Sequence, residues 1–160
     1  MKLRSALLAL LVLFILLVSV YPGQAGTTLG LSLENDYTND SLFYGGYLRT
    51  GGLFKIELGG LESTSETAEE IDLFSYFLAD LTLGRFGTNG SLHLYLGGSP
   101  VMTLDTETPS FAFSSSSAYG KIGLQFDFFP FSVQAQTTGE LDFNGDLERI
   151  MGGIGFGLSF

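Results

Sequence analysis

The amino-acid sequence predicts an all-β protein, an eight-stranded antiparallel up-and-down transmembrane β-barrel. Three observations predict this fold. From residue 26 onwards, apolar and polar residues alternate with a period of two, which is the pattern of strands with two different faces. The connections between strands alternate between long acidic segments and short segments without carboxylates. The chain ends in "GGIGFGLSF", which has one large apolar face and one nearly bare face.

The first 25 residues predict a secretory signal peptide, removed after export through the Sec pathway. Two cations, Lys2 and Arg4, precede an apolar run over residues 6–20, and cleavage is expected after Ala25. The apolar run is shorter than the ~20 residues that a spanning helix needs, which favours cleavage over an uncleaved membrane anchor. The mature domain is then residues 26–160.

The composition excludes two further classes of protein. There is no cysteine, so no disulfide framework stabilises this exported domain. The formal net charge is -10, and cleavage of the signal peptide would remove two cations as well. Such an acidic chain is unsuited to bind nucleic acid, because phosphate contacts need Lys and Arg. No cofactor motif is present.

In the first four predicted strands, apolar residues occupy every second position. The second strand, residues 41–49, is rich in aromatic residues and less regular. The apolar faces consist of Leu29, Leu31 and Leu33 in the first strand, Phe54, Ile56 and Leu58 in the third, and Phe77, Ala79, Leu81 and Leu83 in the fourth, which lies within residues 71–86.

The last four predicted strands repeat the same alternation. The eighth strand is residues 152–160. The apolar faces consist of Leu92, Leu94 and Leu96 in the fifth strand, Ile122, Leu124, Phe126 and Phe128 in the sixth, Phe131, Val133 and Ala135 in the seventh, and Ile154, Phe156, Leu158 and Phe160 in the eighth.

The connections predict which end of the barrel faces outward. The odd connections are long and mostly acidic, including residues 59–72 and residues 97–117, the longest. The even ones are short, and Asn89-Gly90 is a hairpin signal. In an up-and-down sheet the odd connections share one end, and long outer loops with short periplasmic turns are the asymmetry of outer-membrane barrels. An even number of strands places both termini at the periplasmic end.

The polar face predicts the interior of the barrel. Water-facing surfaces typically carry ~25–35% charged residues, whereas this chain has 15%, mostly in the odd connections. We therefore expect the apolar face to contact outer-membrane lipid and the polar face to line a filled lumen. The polar lumen candidates are Lys55, Glu57, Asp80, His93, Tyr95, Lys121, Gln125 and Asp127.

Aromatic residues are expected to form two girdles around an aliphatic band. The girdle near the long connections would contain Tyr37, Phe43, Tyr44, Phe74, Tyr76 and Phe143, and the girdle near the short turns would contain Phe86, Phe128, Phe129, Phe131 and Phe160.

The terminal segment resembles the last strand of Gram-negative outer-membrane barrels, which alternates apolar residues and ends on Phe. The family it resembles is the small eight-stranded outer-membrane β-barrels of the OmpA/OmpX type. The resemblance implies that Ile154, Phe156, Leu158 and Phe160 form an address read by the barrel assembly machinery, and that the last strand closes the barrel against the first. It also implies a location in the outer membrane of a Gram-negative-type bacterium.

Catalysis is not expected from the sequence. His93 is the only histidine, and no serine is placed beside it on its face. Some small outer-membrane barrels that resemble this chain modify lipid, and the hydrolases among them use a His and a Ser two residues apart. The residue two positions after His93 is Tyr95, so His93 is interpreted as an interior hydrogen-bonding group.

The third connection carries an acidic cluster that is expected to face outward. Its members are Glu62, Glu66, Glu69, Glu70 and Asp72. Carboxylates attract Ca²⁺ and Mg²⁺, so divalent cations could bridge this loop to anionic surface glycolipid. No complete ligand motif predicts a specific metal site, and "DFNGD" at residues 142–146 lacks the spacing of a calcium loop.

The sequence favours a structural or surface-interacting outer-membrane barrel, because binding surfaces tend to lie on loops held by a rigid scaffold. Two alternatives stay open. One is a soluble, secreted, lipocalin-like barrel that turns its apolar face inward around an apolar ligand. The other is a lipid-modifying outer-membrane enzyme, which would need a serine and an acid beside His93.

Overall fold

A computed structural model of the chain describes residues 26–64, 70–105 and 110–160. The predicted signal peptide, and with it the domain boundary at residue 25, lies outside the described residues, as do Glu66 and Glu69. In the part of the chain that is described, no helix is long and apolar enough to cross a membrane.

Eight antiparallel strands form one closed barrel in chain order, which confirms the predicted strand number and up-and-down topology. The last strand pairs with the first from Thr28↔Ser159 to Asp36↔Met151, so the sheet has no open edge. The strands are β1 (Gly26–Asp36), β2 (Ser41–Gly51), β3 (Phe54–Ser63), β4 (Glu70–Phe86), β5 (Gly90–Asp105), β6 (Ser110–Phe128), β7 (Phe131–Asp142) and β8 (Leu147–Ser159).

The connections differ between the two ends of the barrel. The short-turn end carries residues 52–53, 87–89 and 129–130. It also holds Gly26 and Phe160, and Phe160 N donates to Thr27 O at 2.9 Å. The long-connection end carries the turns at residues 37–40 and 143–146, the last residues of β3 and β5 and the first residues of β4 and β6.

Two of the expected long connections, residues 59–72 and residues 97–117, are mostly strand. Residues 97–117 were expected to be the longest connection, but β5 continues to Asp105 and β6 begins at Ser110. Register shifts interrupt the pairing of these two strands between Pro100 and Met102. The ladder continues past the irregularity, because residues 102–105 and 110–113 are again extended and pair from Met102↔Phe113 to Asp105↔Ser110. The result is a long hairpin instead of a loop.

Polar residues face inward and apolar residues face outward. Along β7, every second residue is buried: Ser132, Gln134, Gln136 and Thr138. Phe131 and Val133, which alternate with them, are exposed. A soluble barrel would show the opposite distribution, because burial of apolar surface is the main favourable term in folding from water.

The terminal strand follows the same rule. Ile154, Phe156, Leu158 and Phe160 are all exposed on the outer surface. Gly153 faces inward, where a Cβ atom would lie 2.6 Å from Glu34 Cγ and from the Leu33 carbonyl oxygen. The bare face of β8 thus leaves room for side chains that enter the barrel from neighbouring strands.

The expected aromatic girdle is only partly present at the long-connection end. Tyr37, Tyr44 and Phe143 are exposed, but Phe74 and Tyr76 are buried inside the barrel. On β4 these two rings are in phase with Asp80, so they point inward with it, while Phe77 and Leu81 point outward. At the short-turn end all of the expected rings are exposed: Phe86, Phe128, Phe129, Phe131 and Phe160.

Candidate functional site

The barrel interior contains a charged cluster centred on Glu57. Arg49 on β2 lies directly opposite Glu57 on β3 in the strand register. Its Nε donates to Glu57 Oε2 at 2.7 Å, and its Nη2 donates to the same oxygen. Lys121 Nζ on β6 donates to Glu57 Oε1 at 2.5 Å. Arg49 Nη1 also donates to Gln125 Oε1. We call these four residues the Glu57 cluster; each is at most 5% exposed.

Aromatic rings surround the cations of the Glu57 cluster. The Arg49 guanidinium lies 4.3 Å from the centre of the Tyr95 ring, and Lys121 Nζ lies 4.8 Å from that of Tyr76. Such contacts add cation–π attraction when the cation is desolvated. The Tyr95 hydroxyl donates to Gln136 Oε1 at 3.0 Å. Charges and rings together fill the cross-section of the barrel, as an eight-stranded interior is just wide enough for side chains.

At the long-connection end, Arg149 on β8 joins two carboxylates. Its Nε donates to Asp36 Oδ2 at 2.7 Å and its Nη1 to Asp72 Oδ2 at 2.8 Å. The guanidinium also lies 4.6 Å from the centre of the Phe43 ring. Phe43 therefore faces the interior and does not belong to the outer girdle. This end of the lumen therefore contains an ion-paired side chain.

The acidic cluster expected in the third connection is divided by the strands. Glu62 lies in β3 opposite Ile71, and Glu70 begins β4. Asp72 is held by Arg149 and is not free in a loop. In β4 the apolar residues Ile71 and Leu73 share the phase of Phe77 and Leu81, so the strand alternation continues into the expected connection.

The outer turn at residues 143–146 is built around Asp142. Asp142 Oδ1 accepts from the backbone N–H groups of Asp146 at 2.7 Å and Asn144 at 2.9 Å, and Oδ2 accepts from Asn144 Nδ2 at 2.8 Å. These hydrogen bonds, above all that from Asp146, lower the pKa of Asp142. The carboxylate therefore shapes the turn. Among the described residues, no three His, Cys, Asp or Glu side chains are grouped to hold a metal ion.

At the short-turn end, a second polar group surrounds His93. His93 Nδ1 lies 2.7 Å from Asp80 Oδ1, and Lys55 Nζ lies 2.5 Å from Asp80 Oδ2. On the other side of the ring, Nε2 lies 2.8 Å from Ser91 Oγ and 3.4 Å from Asp127 Oδ2. Among these side chains, those of Lys55, Ser91, His93 and Asp127 border a cleft of about 470 Å³ at this end of the barrel.

All eight lumen candidates lie on the inner face of the barrel, in two groups. Lys55, Asp80, His93 and Asp127 meet at the short-turn end, and Gln125 Nε2, which donates to Asp127 Oδ1 at 2.6 Å, links them to the Glu57 cluster. Glu57, Tyr95, Lys121 and Gln125 belong to the buried interior.

Ser91 and Arg149 contribute side chains to these polar groups, and the sequence interpretation missed both of them. Ser91 lies two residues before His93 on the same strand, so period two already places both side chains on one face. The sequence interpretation considered only the residue two positions after His93, Tyr95, and not the residue two positions before it. The contacts of Arg149 depend on strand register, which the sequence does not show.

The comparisons with known proteins agree with the fold. No protein-family model matches the sequence and no curated protein matches it. Among solved structures, the chain is similar to the N-terminal β-barrel domain of OprF from Pseudomonas aeruginosa, with a TM-score of 0.57 and 16% sequence identity, over 84% of this chain and 97% of that domain. The fold is thus that of an OmpA-type eight-stranded barrel, which confirms the resemblance suggested by the terminal strand and the strand number.

Proposed function

We propose that this chain is an integral outer-membrane β-barrel protein with a structural or surface-interaction role. The observation that carries the proposal is the reversed polarity of the barrel: the Glu57 cluster is buried inside, and large apolar side chains such as Leu31 (71% exposed) and Ile154 (62% exposed) cover the outside. Contiguous exposed apolar surface of this kind marks a membrane or partner interface.

The backbone supports lipid as the partner of that surface. In a bilayer every N–H and C=O group needs an internal partner, and a closed barrel supplies one for each strand. The shortest strand, β3, has 10 residues, and a tilted transmembrane strand needs ~9–11. A lipocalin-like barrel would instead bury the apolar face around its ligand, so the side-chain distribution disfavours that alternative.

The interaction role is assigned to the long-connection end. Here the β5–β6 hairpin and the connections at 37–40 and 143–146 extend from a rigid barrel, and binding residues are often placed on such loops. In the sequence between β3 and β4, Glu66 and Glu69 add negative charge, which divalent cations could bridge to anionic glycolipid. The barrel assembly machinery is the partner proposed for the terminal strand.

Cysteine labelling tests both the location and the orientation, because the natural chain has no cysteine. Asp146→Cys would place a thiol in the exposed turn at 143–146, and Thr88→Cys would place one in the exposed turn at 87–89. On intact cells, a membrane-impermeant maleimide should label the Asp146→Cys variant. The Thr88→Cys variant should react only after the outer membrane is permeabilised.

Two results would contradict the proposal. Labelling of Thr88→Cys but not Asp146→Cys on intact cells would show the reverse orientation. Recovery of both variants in the soluble fraction, where each reacts equally, would show that the barrel is not in a membrane.

A further inference from the structure

Ser91, His93 and Asp80 are arranged like the nucleophile, base and orienting acid of a serine hydrolase. His93 Nε2 lies 2.8 Å from Ser91 Oγ, and His93 Nδ1 lies 2.7 Å from Asp80 Oδ1. In a Ser–His–Asp triad the acid bonds Nδ1–H and the serine hydroxyl bonds Nε2. The same constellation occurs on unrelated folds, and it is recognised by geometry instead of sequence position.

The strand register builds this arrangement. Ser91 and His93 share the inner face of β5, and His93 pairs with Thr82 on β4, two residues from Asp80. The Asp80 side chain is 3% exposed and is fixed on its other oxygen by Lys55, whereas the His93 side chain is 15% exposed. The acid is therefore buried behind the ring, and the base and the hydroxyl reach the cleft.

The cleft has the size of a small-molecule site. Its volume is about 470 Å³, and small-molecule sites commonly measure ~300–1,000 Å³. Lys55, Arg85 and Asp127 line it together with Ser91 and His93. Lys55, which is paired with Asp80, and Arg85 are the two cations of this lining.

We propose that this cleft, the Ser91 cleft, hydrolyses a small water-soluble carboxylic ester, with Ser91 as nucleophile and His93 as general base. Asp80 is a positioning residue that holds the imidazole through Nδ1. The inference goes beyond the outer-membrane role and replaces the sequence expectation that the chain has no catalytic site. The substrate enters from the short-turn end, not from the lipid-facing surface.

The reaction balances without a cofactor. The Ser91 oxygen attacks the ester carbonyl carbon while its proton passes to His93 Nε2. The tetrahedral intermediate collapses, the C–O bond to the alcohol breaks, and His93 returns that proton to the leaving alkoxide. Water then attacks the acyl-serine and gives its proton to His93, the acid is released, and Ser91 recovers its proton. Asp127, 3.4 Å from Nε2, stabilises the imidazolium formed in each half.

The test uses the full-length protein, purified from the envelope in detergent micelles. A fluorophosphonate reporter, which reacts with activated serines, should label the wild-type protein at Ser91, as located by mass spectrometry of the labelled peptide. Ser91→Ala and His93→Gln should each lose at least about 100-fold in labelling rate, because a positioned base contributes roughly 10²–10⁴-fold. Ser116→Ala is the matched control, because Ser116 is exposed on β6 near the long-connection end, away from the cleft, and should label like the wild type.

Hydrolysis of p-nitrophenyl butyrate gives an independent readout. The wild type should hydrolyse it, p-nitrophenyl palmitate should not be hydrolysed, and Asp80→Asn should lower kcat with little change in KM. The mobility difference between unboiled and boiled samples shows for each variant that the barrel is folded. If Ser91→Ala does not fold, His93→Gln tests the same claim.

Absence of wild-type labelling at Ser91, or equal rates in folded wild-type and His93→Gln protein, would overturn the proposal. Hydrolysis of the palmitate ester alone would overturn the assignment of a small, water-soluble substrate. None of these results bears on the outer-membrane location, which the mobility shift and the cysteine labelling test separately.

Discussion

Arg49 and Glu57 face each other across β2 and β3 inside the barrel, and neither side chain is more than 1% exposed. The pair does not stand alone, since Lys121 binds the second oxygen of Glu57 at 2.5 Å. Removing two charges from water is costly unless they are paired and hydrogen-bonded. The Glu57 carboxylate thus compensates the charges of two buried cations, and we expect the stability of the folded barrel to depend on it.

Replacing Glu57 tests this dependence. Glu57→Gln leaves Arg49 and Lys121 without a counter-charge, and loss of one partner from a buried pair costs about 3–5 kcal/mol. We expect the midpoint of urea unfolding in lipid vesicles to fall accordingly. Glu148→Gln, at an exposed position on β8, is the control and should shift stability by no more than about 0.5 kcal/mol. Equal stability of the two variants would show that the cluster contributes little.

A charge on the outer face tests for contact with lipid. Ile122 is exposed on β6 and pairs with Thr137 near the middle of β7. Ile122→Arg should destabilise the vesicle-embedded barrel by about 2–4 kcal/mol, because the cost of a cation is greatest at the bilayer midplane. Leu147→Arg, near the long-connection end, should cost only about 0–1 kcal/mol. The same small cost at both positions would indicate a surface that faces water.

The bare face of β8 is predicted to be required for folding. A Cβ atom at Gly153 would lie 2.6 Å from the Leu33 carbonyl oxygen, which cannot move without disturbing the β1–β8 ladder. Gly153→Ala should therefore cost about 1–3 kcal/mol, as overpacking does. It should also reduce the fraction of protein that refolds into vesicles.

Gly120→Ala is the matched control for this substitution. A Cβ atom there would meet nothing closer than Leu141 Cδ1 at 3.9 Å, so refolding should be unchanged. Similar refolding yields for both variants would refute the close-packing explanation of the β8 glycines.

The filled interior predicts that the barrel does not conduct ions. Arg49, Tyr95 and Gln125 are almost completely buried within the lumen, and Arg149 occupies the long-connection end. In planar bilayers the purified protein should give no long-lived conductance steps above those of a boiled sample. Large and stable steps would show that an open path exists between these side chains.

The strand number and the outer face are predictable from the sequence because they depend on local alternation. Phe156 and Leu158 lie two residues apart on one strand, so they face the same side whatever residues the neighbouring strands carry. Phe74 and Tyr76 were misplaced because aromatic residues occur on both faces of β4, and only the phase set by Asp80 distinguishes them. Local patterns therefore determine which face a residue takes only where the two faces differ in composition.

Contacts between distant strands were not predictable, because they depend on register and barrel shear. Arg149 binds Asp72, which is 77 positions away in the sequence. The alternation within each strand does not predict this contact. The arrangement in the Ser91 cleft was predictable in part. Its serine and histidine follow from period two along β5, whereas Asp80 joins them only through the pairing of β4 with β5.

The most direct test of a lipid-facing closed barrel compares unboiled and boiled samples of the envelope fraction on an SDS gel. A closed barrel has no free edge and unfolds slowly. The protein should therefore be found in the outer-membrane fraction, with an unboiled band that migrates differently from the boiled one. Recovery in the soluble periplasmic or secreted fraction, with identical migration of both samples, would contradict the outer-membrane barrel.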